Sequence, residues 1–336
     1  MEVYIDKANL KFIIASSSHP LFSDTMRMLK NKFNIKFNFS KEDIDKDNDQ
    51  DIRLWFTTMV DGVGSNDVLY LSEPFPTRPL KINMHTTSPG FSREQLSSVY
   101  LLQDDNVEKI KNKGCFLIAS VGEEVDTLSH LIIKDSDYRF DKKLRLADMS
   151  SWSDFKDHIS PCSDIILIDQ YILCDENIYE CNMYSLIKTL LQYAKEAKIS
   201  IVIITRKSHY NKGLKADIIP DWNNIKVSIK SAVESICGVK PNVTFVLTPQ
   251  NIAEHDRTIF TNYRRLYSGD SFNYFDSMGK IISKGKEVHL CSMADIENYE
   301  LGLKLLDDVQ KLITSTQKLN NDLIIGDKKS NYLNFE

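Results

Sequence analysis

The sequence has no run approaching 18 consecutive apolar residues, which excludes a membrane-spanning helix. Near its start there is only a short apolar burst, Phe12 to Ala15, with acidic residues before it. A secretory leader needs a basic start and a longer apolar stretch, so the chain reads as cytoplasmic. No C-x-x-C pair occurs among Cys115, Cys162, Cys174, Cys181, Cys237 and Cys291. Cysteines scattered in this way are expected to be buried small hydrophobes, so neither a disulfide, a metal nor any other cofactor is called for. A basic excess is missing too. Forty-two Lys and Arg stand against 47 Asp and Glu, a formal net charge of −5, which rules out a uniformly basic nucleic-acid coat but not a local basic face. No internal repeat is visible, which excludes a solenoid or a propeller.

What is present is globular in proportion: 42% hydrophobic and 26% charged residues argue against wholesale disorder. At about 100–200 residues per domain, 336 residues suggest two units. The expected class is α/β: an N-terminal α/β domain over 1–150, of no type the sequence names, a second α/β domain over 151–318, and a loosely held polar tail over 319–336, in which Leu323 to Ile325 and Phe335 are the residues able to dock. In the first half, Lys11 to Ala15, Val68 to Leu71, Cys115 to Ser120 and His130 to Lys134 are strand-like, while Pro20 to Asn34 and Ser92 to Lys111 carry helical patterns. The run 41–51 holds six carboxylates and two lysines and reads as a solvated loop. It lacks the glycine and distal glutamate of a calcium loop. Four prolines between Glu73 and Gly90 mark a long irregular connection.

The second half is more regular. A short helix over Trp152 to Ile159 is followed by an isoleucine-rich strand, Asp164 to Ile172. Next come an amphipathic helix over Met183 to Lys198, a continuous apolar strand over Ile199 to Thr205, a helix over Asn224 to Cys237 and a strand over Val243 to Leu247. That alternation predicts parallel strands with helical crossovers.

The stretch Glu254 to Phe275 contains His255, Arg257, Asn262 and Gly269 in the spacing H-x-R-x4-N-x6-G. It resembles the H-x-K-x4-D-x6-G motif of phospholipase D-like proteins, with Arg257 for the lysine and Asn262 for the aspartate. The upstream DIILIDQY is similar to the apolar strand and Asp-Pro-Tyr that open such domains, with Gln170 between Asp169 and Tyr171. His255, Asp256, Arg257, Asn262, Gly269, Phe272 and Phe275 look closer still to the phospholipase D-like domain that ends proteins with a microtubule-interacting-and-trafficking domain. The resemblance spans roughly Trp152 to Leu312 and leaves the first 150 residues aside.

It implies a histidine nucleophile, His255, and phosphate-holding partners at Arg257 and Asn262. In the family two such motifs face each other, so a homodimer would be needed to supply a second His255. An amide at position 262 cannot polarise an imidazole as a carboxylate does, and the motif therefore favours recognition over catalysis. Residues 201–240 hold seven Lys or Arg against three Asp or Glu, a local reversal of the chain's sign. Arg206 and Lys207 follow a strand end, where ligands of parallel sheets sit, and Arg264 joins them as a phosphate contact. Tyr210, Trp222 and Tyr263 are candidates to stack on unpaired bases.

Three readings follow: a phosphate-recognising, nucleic-acid-binding protein on a degenerate phospholipase D-like domain; a dimeric phosphodiesterase or nuclease acting through His255; and a non-catalytic adaptor for protein partners or acidic membranes. Residue usage rich in Asn, Lys and Ile is common in low-GC bacteria and brings defence against foreign nucleic acid into view for the first.

Overall fold

A computed structural model describes residues 1–16, 18, 28–29, 32–39, 41–46, 49–61, 91–103, 107–133, 140–211, 215–248, 257–283 and 287–336. Val68 to Leu71, the connection Glu73 to Gly90, most of Pro20 to Asn34, and both His255 and Asp256 lie outside them.

The chain is α/β. Among the described residues the N-terminal sheet has four strands, β1 (Glu2–Ile5), β2 (Asn34–Phe37), β3 (Val99–Leu101) and β4 (Leu117–Ala119), in the order β2-β1-β3-β4 and all parallel. Several expectations for this half change. Lys11 to Ala15 belongs to a helix, α1 (Lys7–Ala15), because Leu10 and Ile13 share one buried face; the preceding Val3, Tyr4 and Ile5 make the strand. The acidic run is helical at Lys41–Lys46 and again from Gln50, with Ile44 and Ile52 buried beneath its charged face. Ser92 to Lys111 divides into a helical turn at Arg93–Leu96, then β3, then a helix at Val107–Lys111. His130 caps the helix Glu124–Ser129 and does not begin a strand.

The second sheet has eight strands: β5 (Asp141–Arg145), β6 (Asp164–Ile168), β7 (Ser200–Arg206), β10 (Asn242–Thr248), β11 (Arg257–Thr261), β12 (Arg264–Ser268), β13 (Glu287–Ser292) and β14 (Ile324–Gly326). Two further strands, β8 (His209–Asn211) and β9 (Ala216–Ile218), form a separate hairpin. The order is β14-β10-β7-β6-β11-β12-β13-β5. β6, β7 and β10 are parallel, as continuous apolar runs buried on both faces demand, and the remaining pairings are antiparallel. Because β5 pairs with β13, the second unit takes in residues before 151. The expected helix at Met183 to Lys198 is a π-turn, Glu180–Tyr184, running into a short α2 (Ser185–Leu190). The helix α3 (Trp222–Cys237) lies beside α2, and α4 (Ile296–Leu319) packs on β10 and β13.

The tail is part of the core, contrary to the loose segment expected. β14 adds an edge strand to β10, Asn331 Nδ2 donates to the buried Asp164 carboxylate at 2.9 Å, and Tyr332, Leu333 and Phe335 are buried. The apolar pairs in 323–325 and 332–335 supply the burial that the polar composition of the segment hid. Gly326 makes the turn out of β14 at φ 109°, and a Cβ there would sit 2.2 Å from the Val243 carbonyl oxygen. Gly326→Ala is expected to destabilise by about 2–4 kcal/mol, read as a lower urea midpoint with unchanged slope.

Candidate phosphate-binding site

β6 lies between β7, which runs parallel to it, and β11, which runs antiparallel. The last residue of β7 and the first residue of β11 therefore arrive at the same sheet edge, where β6 ends. Those residues are Arg206 and Arg257. The chain leaving β6 is Asp169, Gln170, Tyr171, and Tyr171 places its ring between the two arginines. The guanidinium carbon of Arg206 lies 4.9 Å from the ring centroid and that of Arg257 5.7 Å. His209, at the start of the hairpin that follows β7, sets its imidazole 6.4 Å from the same ring.

Asp169 fixes this corner. Its carboxylate accepts hydrogen bonds from Tyr171 N at 2.9 Å, Ser271 Oγ at 2.8 Å and Phe272 N at 2.7 Å. Burial pushes its pKa up to about 6, against these donors and the Arg257 charge, which pull it down. The loop it holds is anchored from behind by Trp152, whose ring stacks on Tyr274 at 5.1 Å and meets Phe272 and Phe275. Phe272 and Phe275, the aromatic part of the sequence resemblance, are thus core residues that steady the loop. Asn273 Nδ2 donates to the Tyr171 carbonyl at 2.6 Å.

Arg257 Nη1 donates to the Gly269 carbonyl at 3.2 Å. Arg206 Nε and His209 Nε2 are buried and have no hydrogen-bond partner among the described residues. Burial, and then the Arg206 charge, hold the His209 imidazole below its usual pKa, so it is neutral at pH 7. Two guanidinium groups share a ring, and the Asp169 carboxylate behind them ionises reluctantly. An anion bound at this corner would meet both positive charges and satisfy the Arg206 donor. Lys207 is exposed at the same edge, and Tyr210 on the hairpin is 62% exposed.

The other sequence candidates go elsewhere. Asn262 is five residues beyond Arg257 along an extended strand, about 16 Å away. It is fully buried: its Oδ1 accepts from Ser163 N at 2.8 Å and Asp164 N at 3.1 Å, and its Nδ2 donates to the Leu96 carbonyl at 2.8 Å. Arg264 is buried as well. Its guanidinium donates to the carbonyls of His158, Leu131, His130 and Ile132 at 2.5–3.3 Å, and burial pushes its pKa down to about 9. Neither can reach a phosphate, because every polar atom that would bind one is engaged in the core. Tyr263 and Trp222 are buried and present no face to a base, which leaves Tyr210 of the three stacking candidates. His255 lies outside the described residues. Asp169 and Tyr171 were not assigned roles by the sequence, and the signal for both is an Asp-x-Tyr step directly after a strand buried on both faces; His209 follows the same strand end as Arg206 and Lys207.

No protein-family model matches the chain, and no curated protein matches it. Among solved structures, the archaeal chromatin protein TrmBL2, described as showing a novel mode of DNA binding, is similar at a TM-score of 0.26 and 11% identity, over 56% of this chain and 58% of its own. A likeness of that strength bears on neither the fold nor the ligand of this chain.

Proposed function

We propose that this chain is a phosphate-recognising protein that binds single-stranded nucleic acid at the Tyr171 corner, on a phospholipase D-like domain. The observation that carries the reading is the buried Arg206 Nε, a charged donor without a partner among the described residues, set beside a second guanidinium on one ring. The position agrees with the rule that parallel sheets bind ligands beyond the carboxyl ends of their strands. Exposed Lys207 supplies a further phosphate contact, and exposed Tyr210 a face on which a base can stack. Asn262 is engaged in the core at a distance from Arg257, which favours recognition over hydrolysis.

The test is fluorescence anisotropy with a labelled single-stranded 20-mer. Arg206→Ala is expected to weaken binding by about tenfold or more, the worth of one charge-assisted hydrogen bond. Tyr210→Ala is expected to weaken it by about fivefold or more, the lower end for a stacked base. Unchanged affinity in Arg206→Ala would remove the site from the account.

A further inference from the structure

At the opposite ends of the same strands the molecule has a second cleft. Ser200 opens β7 and Asn242 opens β10, and the two residues are paired in register. β7 is seven residues long, so this edge is about 20 Å from Arg206. The cleft has a volume of about 680 Å³, within the range of sites that enclose small ligands. The tail lines it from Lys328 to Glu336, together with Phe91 and Arg93.

Its charge is opposite to that of the chain. Arg93, Lys198, Lys328 and Lys329 line it, against the carboxylate of Glu336, in a protein whose net charge is −5. Arg93 is held in place, pairing with Asp307 at 2.5 Å and donating Nε to the Tyr332 carbonyl at 3.0 Å. Lys328 adopts φ 49°, a left-handed conformation that lysine rarely takes and that costs roughly 1–2 kcal/mol. The tail holds that conformation just where its two consecutive lysines meet the cleft. Lys329 is exposed, and its ammonium makes no ion pair among the described residues. Asn242 offers a half-buried amide at the floor, and Phe91 a half-buried ring at the rim.

We propose that this cleft binds a small phosphorylated metabolite of nucleotide size. Its phosphates meet Lys328 and Lys329, and its flat or ring portion lies toward Phe91 and Asn242. Ammonium groups on flexible stems suit phosphate as point charges, and the concave wall of the tail selects a compact ligand over a continuous strand. The site is separate from the Tyr171 corner and does not depend on it.

Calorimetric titration of the full chain with ATP, GTP and glucose 6-phosphate, with inorganic phosphate alongside, tests this. The expected result is one saturable site per chain for at least one of the three esters. That site should weaken by about tenfold or more in Lys328→Gln/Lys329→Gln and stay unchanged in Arg206→Ala. Lys329 is exposed and Lys328 is half-buried, with its ammonium donating to Asn321 Oδ1 at 3.3 Å, so an unaltered melting midpoint is needed to show that the double variant folds. Three outcomes would overturn the proposal: no saturation by any of the three esters; equal affinity for inorganic phosphate; or loss of binding in Arg206→Ala with the lysine variant unaffected. Binding confined to an oligonucleotide would also overturn it, since it would assign the cleft to a strand.

Discussion

Replacing Arg264 by methionine is expected to destabilise the fold by about 3–5 kcal/mol, the range for removing one partner from a buried charged network. Methionine roughly keeps the aliphatic volume, so the loss isolates the polar contacts. The guanidinium serves four main-chain carbonyls, those of His158, Leu131, His130 and Ile132. Three of these belong to the chain leaving the helix Glu124–Ser129, which no strand or helix otherwise satisfies at that point. Without Arg264 all four carbonyls lose the guanidinium. His130 and Leu131 keep a hydroxyl donor each, from Ser160 and Ser292, so the cost falls mainly on His158 and Ile132, at about 1–3 kcal/mol each before relaxation. Arg264→Lys should recover only part of the loss, because three donors on a flexible stem cannot reproduce a planar fork. Urea denaturation measures it. A change under about 1 kcal/mol for methionine would mean that the carbonyls find water, and that the buried fork is not what ties this segment to the hairpin.

The second large effect is expected at Asn262, and its sign is informative. Asn262→Asp would introduce the aspartate found at this place in the motif the sequence resembles, yet it should destabilise by about 2–4 kcal/mol at pH 7. The present amide is used at both ends, accepting from Ser163 N and Asp164 N and donating to the Leu96 carbonyl. A carboxylate keeps the two acceptor contacts but turns an oxygen toward the Leu96 oxygen, in a fully buried place beside Asp164. Burial already pushes the Asp164 pKa up to about 6, and a second carboxylate raises the cost of ionising either. The introduced acid should therefore fold with a raised pKa. Its destabilisation will be small below the unfolded value of about 4 and will grow as pH rises toward the folded value. Stability equal to that of the parent at pH 7 would show that the site tolerates the family's acid.

These two residues also show where the sequence was readable and where it was not. The parallel strands β6, β7 and β10 were legible because fully buried strands are written as unbroken apolar runs, such as ISIVIIT at 199–205. Arg206 and Lys207 were legible for the same reason, since a strand end fixes where its next residues go. α1 was misread because a short apolar run does not distinguish a strand from the buried face of a helix, and the choice was settled by the burial of Leu10 and Ile13 along one helix face. In the tail, Leu323 to Ile325 and Phe335 were legible as the residues able to dock, and they do; the polar composition around them hid that the whole segment is held. Arg257 and Asn262 were read as one site because the motif spaces them closely. In an extended strand five residues span about 16 Å, so the two sit at opposite ends of β11 and do different work. Arg264, two residues further on, shares the fate of Asn262. What no sequence pattern could announce is the meeting of Arg206, Arg257 and His209 on Tyr171. That requires knowing that β7 and β11 flank β6 with opposite directions.

The salt dependence of binding to a labelled single strand tests the central claim most directly, with the wild-type chain compared against Arg206→Ala/Lys207→Ala. Each phosphate contact contributes about 0.7 to the slope of log affinity against log salt for a single strand. The account predicts steep salt dependence for the wild type and a slope shallower by about 1.4 in the double variant. A wild-type affinity that does not change with salt, or a slope that the double variant leaves intact, would contradict it.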